Sequence, residues 1–142
     1  MNLPKECCAV EAHTIIVRRE NGKSFRIENL SRVSVTVCSV DGCALSGHEK
    51  KCDYLFMVGE KLLALVELKG TDHVKAVRQI IDSAEALNVK VFPGKRRSYI
   101  VSAACPKANT RFQSERKKQA RRFKAQGLSV PEKKNGNFSL KV

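Results

Sequence analysis

Residues 52–70, CDYLFMVGEKLLALVELKG, decide how this chain is read. Two apolar runs, 54–58 and 62–66, flank a short polar link around Gly59 and predict two consecutive β-strands. Charge sits at their edges. Asp53 opens the first run, and Glu67 and Lys69 bracket Leu68 at the end of the second. Residues two apart in a strand share a face, so Glu67 and Lys69 point one way while Val66 and Leu68 point into a core. With antiparallel pairing, a two-residue link at Gly59-Glu60 sets Asp53 against Val66 and separates the acids. A three-residue link, or a bulge at Gly59, returns them to a common face. Two converging carboxylates repel each other, and a divalent cation relieves the repulsion. Hard oxygen ligands suit Mg²⁺ or Mn²⁺. A neighbouring lysine can orient an attacking water or stabilise charge developing on phosphorus.

Upstream, HTIIVRRE (13–20), Asn21-Gly22 and KSFRIEN (23–29) predict a β-hairpin on a type I′ turn. RVSVTVCSV (32–40) alternates as a half-buried strand. Residues 4–12 predict a short helix with Pro4 in its first turn. Downstream the period changes. Val74, Val77, Ile81, Ala84 and Leu87 fall on one helical face, with Thr71 or Asp72 as the cap. Residues 98–105 read as a strand. Residues 110–127 read as a second helix, with Thr110 and Gln113 as a capping box and Gly127 as its stop. Residues 137–142 read as a last strand, and 106–110 and 129–136 as loops. The order predicts a single α/β domain over residues 1–142. Its mixed central sheet, a β-meander followed by β-α-β-α-β, is flanked by helices.

The chain of 142 residues carries 27 Lys/Arg against 14 Asp/Glu, a formal net charge of +13. Residues 1–89 hold 12 of each sign, whereas residues 90–124 hold 12 Lys/Arg and a single acid, Glu115. A basic excess confined to one block points to a polyanion, because phosphates that meet lysines and arginines release condensed counterions. The candidate contacts are Lys95, Arg96 and Arg97 in a loop, and Arg111, Arg116, Lys117, Lys118, Arg121, Arg122 and Lys124 on the second helix. Such contacts supply affinity, not base preference.

No segment approaches a membrane span, and MNLPKECCAV has no secretory h-region. A cytoplasmic protein with six reduced thiols is therefore expected. Cys38, Cys43, His48 and Cys52 have a spacing that could close a zinc site, although strand cysteines are ordinary core residues.

Asp53, followed after a gap by Glu67-Leu68-Lys69 on two apolar strands before an amphipathic helix, resembles the PD-(D/E)XK nuclease superfamily. Cys52 stands where many members have proline. The resemblance covers about residues 30–105 and implies a restriction-endonuclease-like fold and Mg²⁺- or Mn²⁺-dependent phosphodiester hydrolysis. It implies Asp53, Glu67 and the Leu68 carbonyl as metal ligands, Lys69 as the catalytic lysine and Gln79 near the site. Many members carry an upstream acid, for which Glu11 and Glu28 are both candidates. The implied partner is nucleic acid, DNA favoured over RNA, engaged by a homodimer or larger complex and with no membrane. The rival expectation is a non-catalytic basic nucleic-acid-binding module, either zinc-stabilised or a degenerate nuclease fold.

Overall fold

A strand as apolar as residues 62–68 needs cover on both faces, and the fold supplies it. In the computed structural model, which describes residues 1–47, 51–68, 72–102 and 110–142, this strand is β6. The elements in chain order are β1 (Cys8–Glu11), β2 (Ile15–Glu20), β3 (Lys23–Glu28), β4 (Val35–Ser39), β5 (Tyr54–Val58), β6 (Leu62–Leu68), α1 (His73–Leu87), β7 (Lys95–Ser102), α2 (Thr110–Ala125), β8 (Glu132–Asn135) and β9 (Asn137–Lys141). Six strands form one sheet in the order β1-β4-β5-β6-β7-β8. The pairs from β1 to β6 are antiparallel, and β7 and β8 join in parallel. The chain is thus a single α/β domain with a mixed sheet and two helices.

Strand alternation divides the core. Leu63 and Leu65 of β6 turn towards the helices, among Ala76, Val77, Ile80, Ile81, Phe112 and Phe123. Ala64, Val66 and Leu68 turn the other way, among Ile16, Phe25, Ile27, Phe56 and Tyr99. Phe25 is the hub of the second cluster, with ring centroids 4.9 Å from Phe56, 5.6 Å from Tyr99 and 5.8 Å from Phe138. Each such ring contributes about 1.5–3 kcal/mol by leaving water.

Several sequence expectations hold. Asn21 and Gly22 take φ of 51° and 73° in the β2–β3 turn. Asp72 caps α1, its carboxylate accepting the Lys75 N–H at 3.0 Å, and Thr71 lies outside the described residues. Asn88 closes the helix in the left-handed region at φ 58°.

Others are corrected. The β2–β3 hairpin does not extend the central sheet. It joins β9 in a separate three-stranded sheet, order β2-β3-β9, which covers the face opposite the helices. Residues 4–12 are not a helix. A single 3₁₀ turn over Lys5–Cys7 leads into β1, an edge strand paired with β4. Residues 129–136 are not simply a loop, because Glu132–Asn135 pairs with β7. Both missed strands lie at sheet edges, where one side faces solvent and apolar alternation is not required. The reduced-thiol expectation is also corrected: Cys7 is bonded to Cys43 and Cys8 to Cys38. The antiparallel register sets Cys8 directly opposite Cys38. That consumes two of the four ligands of the expected zinc site, and Cys52 lies fully buried in the helix-side core. His48 falls outside the described residues.

Candidate metal centre and nucleic-acid interface

The link between β5 and β6 has the three-residue length that favours a common face, since Val58 pairs with Leu62. Continued unbroken, that register would set Asp53 opposite Glu67. The ladder breaks at Asp53 instead. Its N–H donates to the Val66 carbonyl at 3.1 Å, although Tyr54 is already the partner of Val66. Two residues against one make a bulge. Asp53 is thereby turned to the Tyr54 side, facing the small sheet, and Cys52 drops into the helix-side core. The Asp53 Oδ2 accepts a 2.7 Å hydrogen bond from the Leu68 N–H. Glu67, 2 % exposed, keeps the alternation of Leu63 and Leu65 towards the helices. The expected common face for Asp53 and Glu67 is therefore not formed. The two acids flank the Glu67–Leu68 peptide from opposite sides of the sheet end. Lys69 lies outside the described residues.

The acid that does approach Asp53 is Glu20, at the end of β2. The Tyr54 hydroxyl donates to Glu20 Oε1 at 3.0 Å. Partial burial and then the nearby Asp53 charge raise the Glu20 carboxyl above its ordinary range. The Tyr54 phenol is pushed up to about 12, by burial and by its bond to Glu20. Neither proposed upstream acid belongs here. Glu11 lies level with Val35 and Val58, at the other end of β5, and pairs with Arg18. Glu28 ends β3 opposite Ile15, four residues along from the Ser24–Arg19 pairing near the turn. Sequence reasoning missed Glu20 because its approach depends on the small sheet folding back over the large one. The period-2 pattern of β2 carries no such information.

Gln79 is 4 % exposed on the inner face of α1. Its Nε2 donates to the Lys51 carbonyl at 3.3 Å, bracing the segment that enters β5. Its Oε1 is buried with no hydrogen-bond partner among the described residues. Ser83 completes the brace, accepting the Cys52 N–H at 3.0 Å and donating to the Gln79 carbonyl at 2.7 Å.

No cluster of three or more His, Cys, Asp or Glu side chains able to hold a metal forms among the described residues. The donors present are the Asp53 and Glu20 carboxylates on one side of the strand end, and Glu67 and the unpartnered Gln79 oxygen on the other. All are hard oxygens. One or two carboxylates, completed by water and phosphate, fit Mg²⁺ rather than a softer ion.

The basic block divides into structural and exposed members. Arg122 reaches across to α1, bonding Asp82 at 2.8 Å and also pairing with Glu85. Arg78 of α1 bonds Glu115 of α2 at 2.9 Å. These guanidinium bonds hold the Glu85 and Glu115 carboxyls below their ordinary range. Arg96 donates to the Lys90 carbonyl at 2.9 Å and to the Phe92 carbonyl, tying down the loop before β7. Arg116 lies over the Phe112 ring, 5.4 Å from its centroid, and bonds Gln113. Lys95 and Arg97 rim an open cleft of about 970 Å³ beside the 59–61 link, at the far end of the sheet from Asp53. Arg111 is exposed in the first turn of α2. Lys117, Lys118, Arg121 and Lys124 are exposed and make no ion pair among the described residues. The 3.6-residue period lines up 117, 121 and 124, with 118 beside them, as a basic ridge opposite the buried Phe112, Gln119 and Phe123.

No family model, no curated protein and no solved structure matches this chain. No helix among the described residues is long and apolar enough to cross a membrane.

Proposed function

We propose that this chain is a Mg²⁺- or Mn²⁺-dependent nuclease with a restriction-endonuclease-like core. In this reading it hydrolyses phosphodiester bonds of nucleic acid, DNA in preference to RNA, with self-association to engage both strands. The observation that carries the reading is the Asp53 carboxylate fixed on the Leu68 N–H, with a second acid, Glu20, drawn up beside it. Such crowding disfavours two adjacent charges unless a cation is there to bind them. Asp53 and Glu20, on one side of the strand end, are the proposed metal-holding groups, with the Leu68 carbonyl as a further oxygen, while Glu67 lies across the Glu67–Leu68 peptide from them. A bound divalent cation would neutralise phosphate charge and acidify a water there. Lys69 orients the attacking water and steadies the charge that builds on phosphorus. The water oxygen bonds to phosphorus as the P–O bond to the leaving group breaks, and the water's proton passes to solvent. Two cystines suit an oxidising setting better than the cytoplasm expected from the sequence.

The basic ridge of α2 favours a second reading, a binding module without catalysis. Titration calorimetry with Mg²⁺ and Mn²⁺ separates the two, run beside a digestion panel of single-stranded, duplex, nicked and branched substrates. The nuclease reading expects metal affinity and cleavage that both disappear in Asp53→Asn. Nucleic-acid binding with neither metal affinity nor cleavage would establish the module instead.

A further inference from the structure

The helix-covered face of the sheet carries a cation that the sequence did not single out. β6, β7 and β8 run in parallel, and their registers align Glu67 with Ile100 and Ile100 with Lys133. Register partners in neighbouring strands share a face. Ile100 packs in the helix-side core with Leu63 and Leu65. Glu67 and Lys133 therefore lie in one row on one face, two strands apart, with α-carbons about 10 Å from each other at the usual strand spacing. A lysine stem spans more than half of that gap.

Lys133 is half-buried and held in place. Its ammonium sits 5.0 Å from the centroid of Phe112, in the first turn of α2. That ring is 6.0 Å from His73, the first residue of α1. Both helix starts and the β8 edge thus converge beside the Glu67 row. Lys133 makes no ion pair among the described residues, whereas its neighbour Lys134 faces the other way, over Phe138, and pairs with Glu132 at 3.3 Å. A second observation marks the same face. Ser102, two residues beyond Ile100 on β7, is fully buried with a hydroxyl that has no hydrogen-bond partner among the described residues. A half-buried ammonium with no ion pair among the described residues, and an unmet hydroxyl on the same face, are donors that a phosphate oxygen can accept from.

We propose that Lys133 is a substrate-binding residue that grips a backbone phosphate of the nucleic acid on the Glu67 side of the site. The proposal rests on the nuclease reading for the identity of the substrate. Its test does not require cleavage.

The experiment compares Lys133→Met, Lys133→Arg and Lys134→Met with wild type. Methionine keeps the stem over Phe112 and removes only the charge. Affinity for a short fluorescent oligonucleotide is measured from 50 to 200 mM salt in metal-free buffer, and KM and kcat in Mg²⁺. Lys133→Met is expected to lower the log–log salt slope by about 0.7–0.9, the loss of one phosphate contact, and to raise KM more than it lowers kcat. Lys133→Arg restores the slope, and Lys134→Met leaves it unchanged. An unchanged slope in Lys133→Met, or equal losses in the two methionine variants, overturns the proposal. Loss of slope in a protein that cleaves nothing supports the Lys133 grip while rejecting the nuclease reading. Normal cleavage with an unchanged slope does the reverse. A lowered melting temperature in Lys133→Met that Lys133→Arg does not repair would assign Lys133 to packing and reject the grip.

Discussion

Replacing Lys117, Lys118, Arg121 and Lys124 together by glutamine tests whether the ridge of α2 meets phosphate. All four are exposed and unpaired among the described residues. Glutamine has nearly the helix propensity of lysine and arginine, so the fold should hold within about 0.5 kcal/mol per site. Each phosphate contact contributes about 0.7–0.9 to the slope of log K against log salt, so four contribute about 2.8–3.6. Over a fourfold rise in salt, from about 50 to 200 mM, those contacts account for about 50–150-fold in affinity. The variant should therefore bind far more weakly at low salt and converge towards wild type at high salt. Arg122→Gln is the contrasting case. Arg122 is spent on Asp82 and Glu85 across the helix pair. Losing two partly exposed pairs at about 0.2–1 kcal/mol each costs about 0.5–2 kcal/mol. That lowers the melting temperature by about 2–6 °C and leaves the salt slope alone. Fluorescence anisotropy titrations at five salt concentrations, with thermal melts of the same samples, read both effects. An unchanged slope in the quadruple variant, or a slope loss in Arg122→Gln without destabilisation, would refute the division of α2 into a binding ridge and a packing face.

Lys69→Ala should abolish cleavage while oligonucleotide affinity stays within a few fold, because one cation of 27 is removed from the chain. Full cleavage by that variant rejects its catalytic role. Mg²⁺ affinity should weaken as pH falls through the raised range of Glu20, since the carboxyl must lose its proton to bind metal. The same group destabilises the metal-free fold as pH rises from the ordinary carboxyl range through that raised value, and Glu20→Gln should flatten both trends in calorimetry and melts. Glu85 and Glu115 behave oppositely: the stability they add is complete above the ordinary carboxyl range and is lost as pH falls through their lowered values, so acid melts of Glu115→Gln should show a shallower decline. Reducing the cystines should release β1 from β4. The Cys7–Cys43 bond spans 36 residues, for which chain entropy predicts about 4 kcal/mol, with less from the nested second bond, so the melting temperature should fall on the order of 10 °C. An unchanged melt after complete reduction would contradict that.

The sequence by itself determined the elements whose burial is written in a local period. Residues 54–58 and 62–68 had to be strands in a core, because their apolar runs permit no exposed face. Val77, Ile81 and Ala84 had to face one side of a helix because 3.6-residue spacing leaves no other stripe. The separation of a neutral amino-terminal part from a basic block was likewise present in the chain. What only the tertiary structure decided depends on contacts between distant segments. The edge strands β1 and β8 exist because β4 and β7 offer unpaired backbone groups beside them, and neither strand has an apolar alternation of its own. The cystines follow from the β1–β4 register. The β2–β3 hairpin could have extended the main sheet, but Phe25 and Ile27 find more burial against Phe56 and Tyr99, and that choice carries Glu20 to Asp53. The bulge at Asp53 overrides the parity of the three-residue link, because Asp53 is held from both sides, through Val66 and Leu68 on β6 and through its carbonyl on the Val40 N–H just past the end of β4. Lys133 and Lys134 look alike in sequence. They part only because strand alternation sends one to the helices beside the Glu67 row and the other to Phe138.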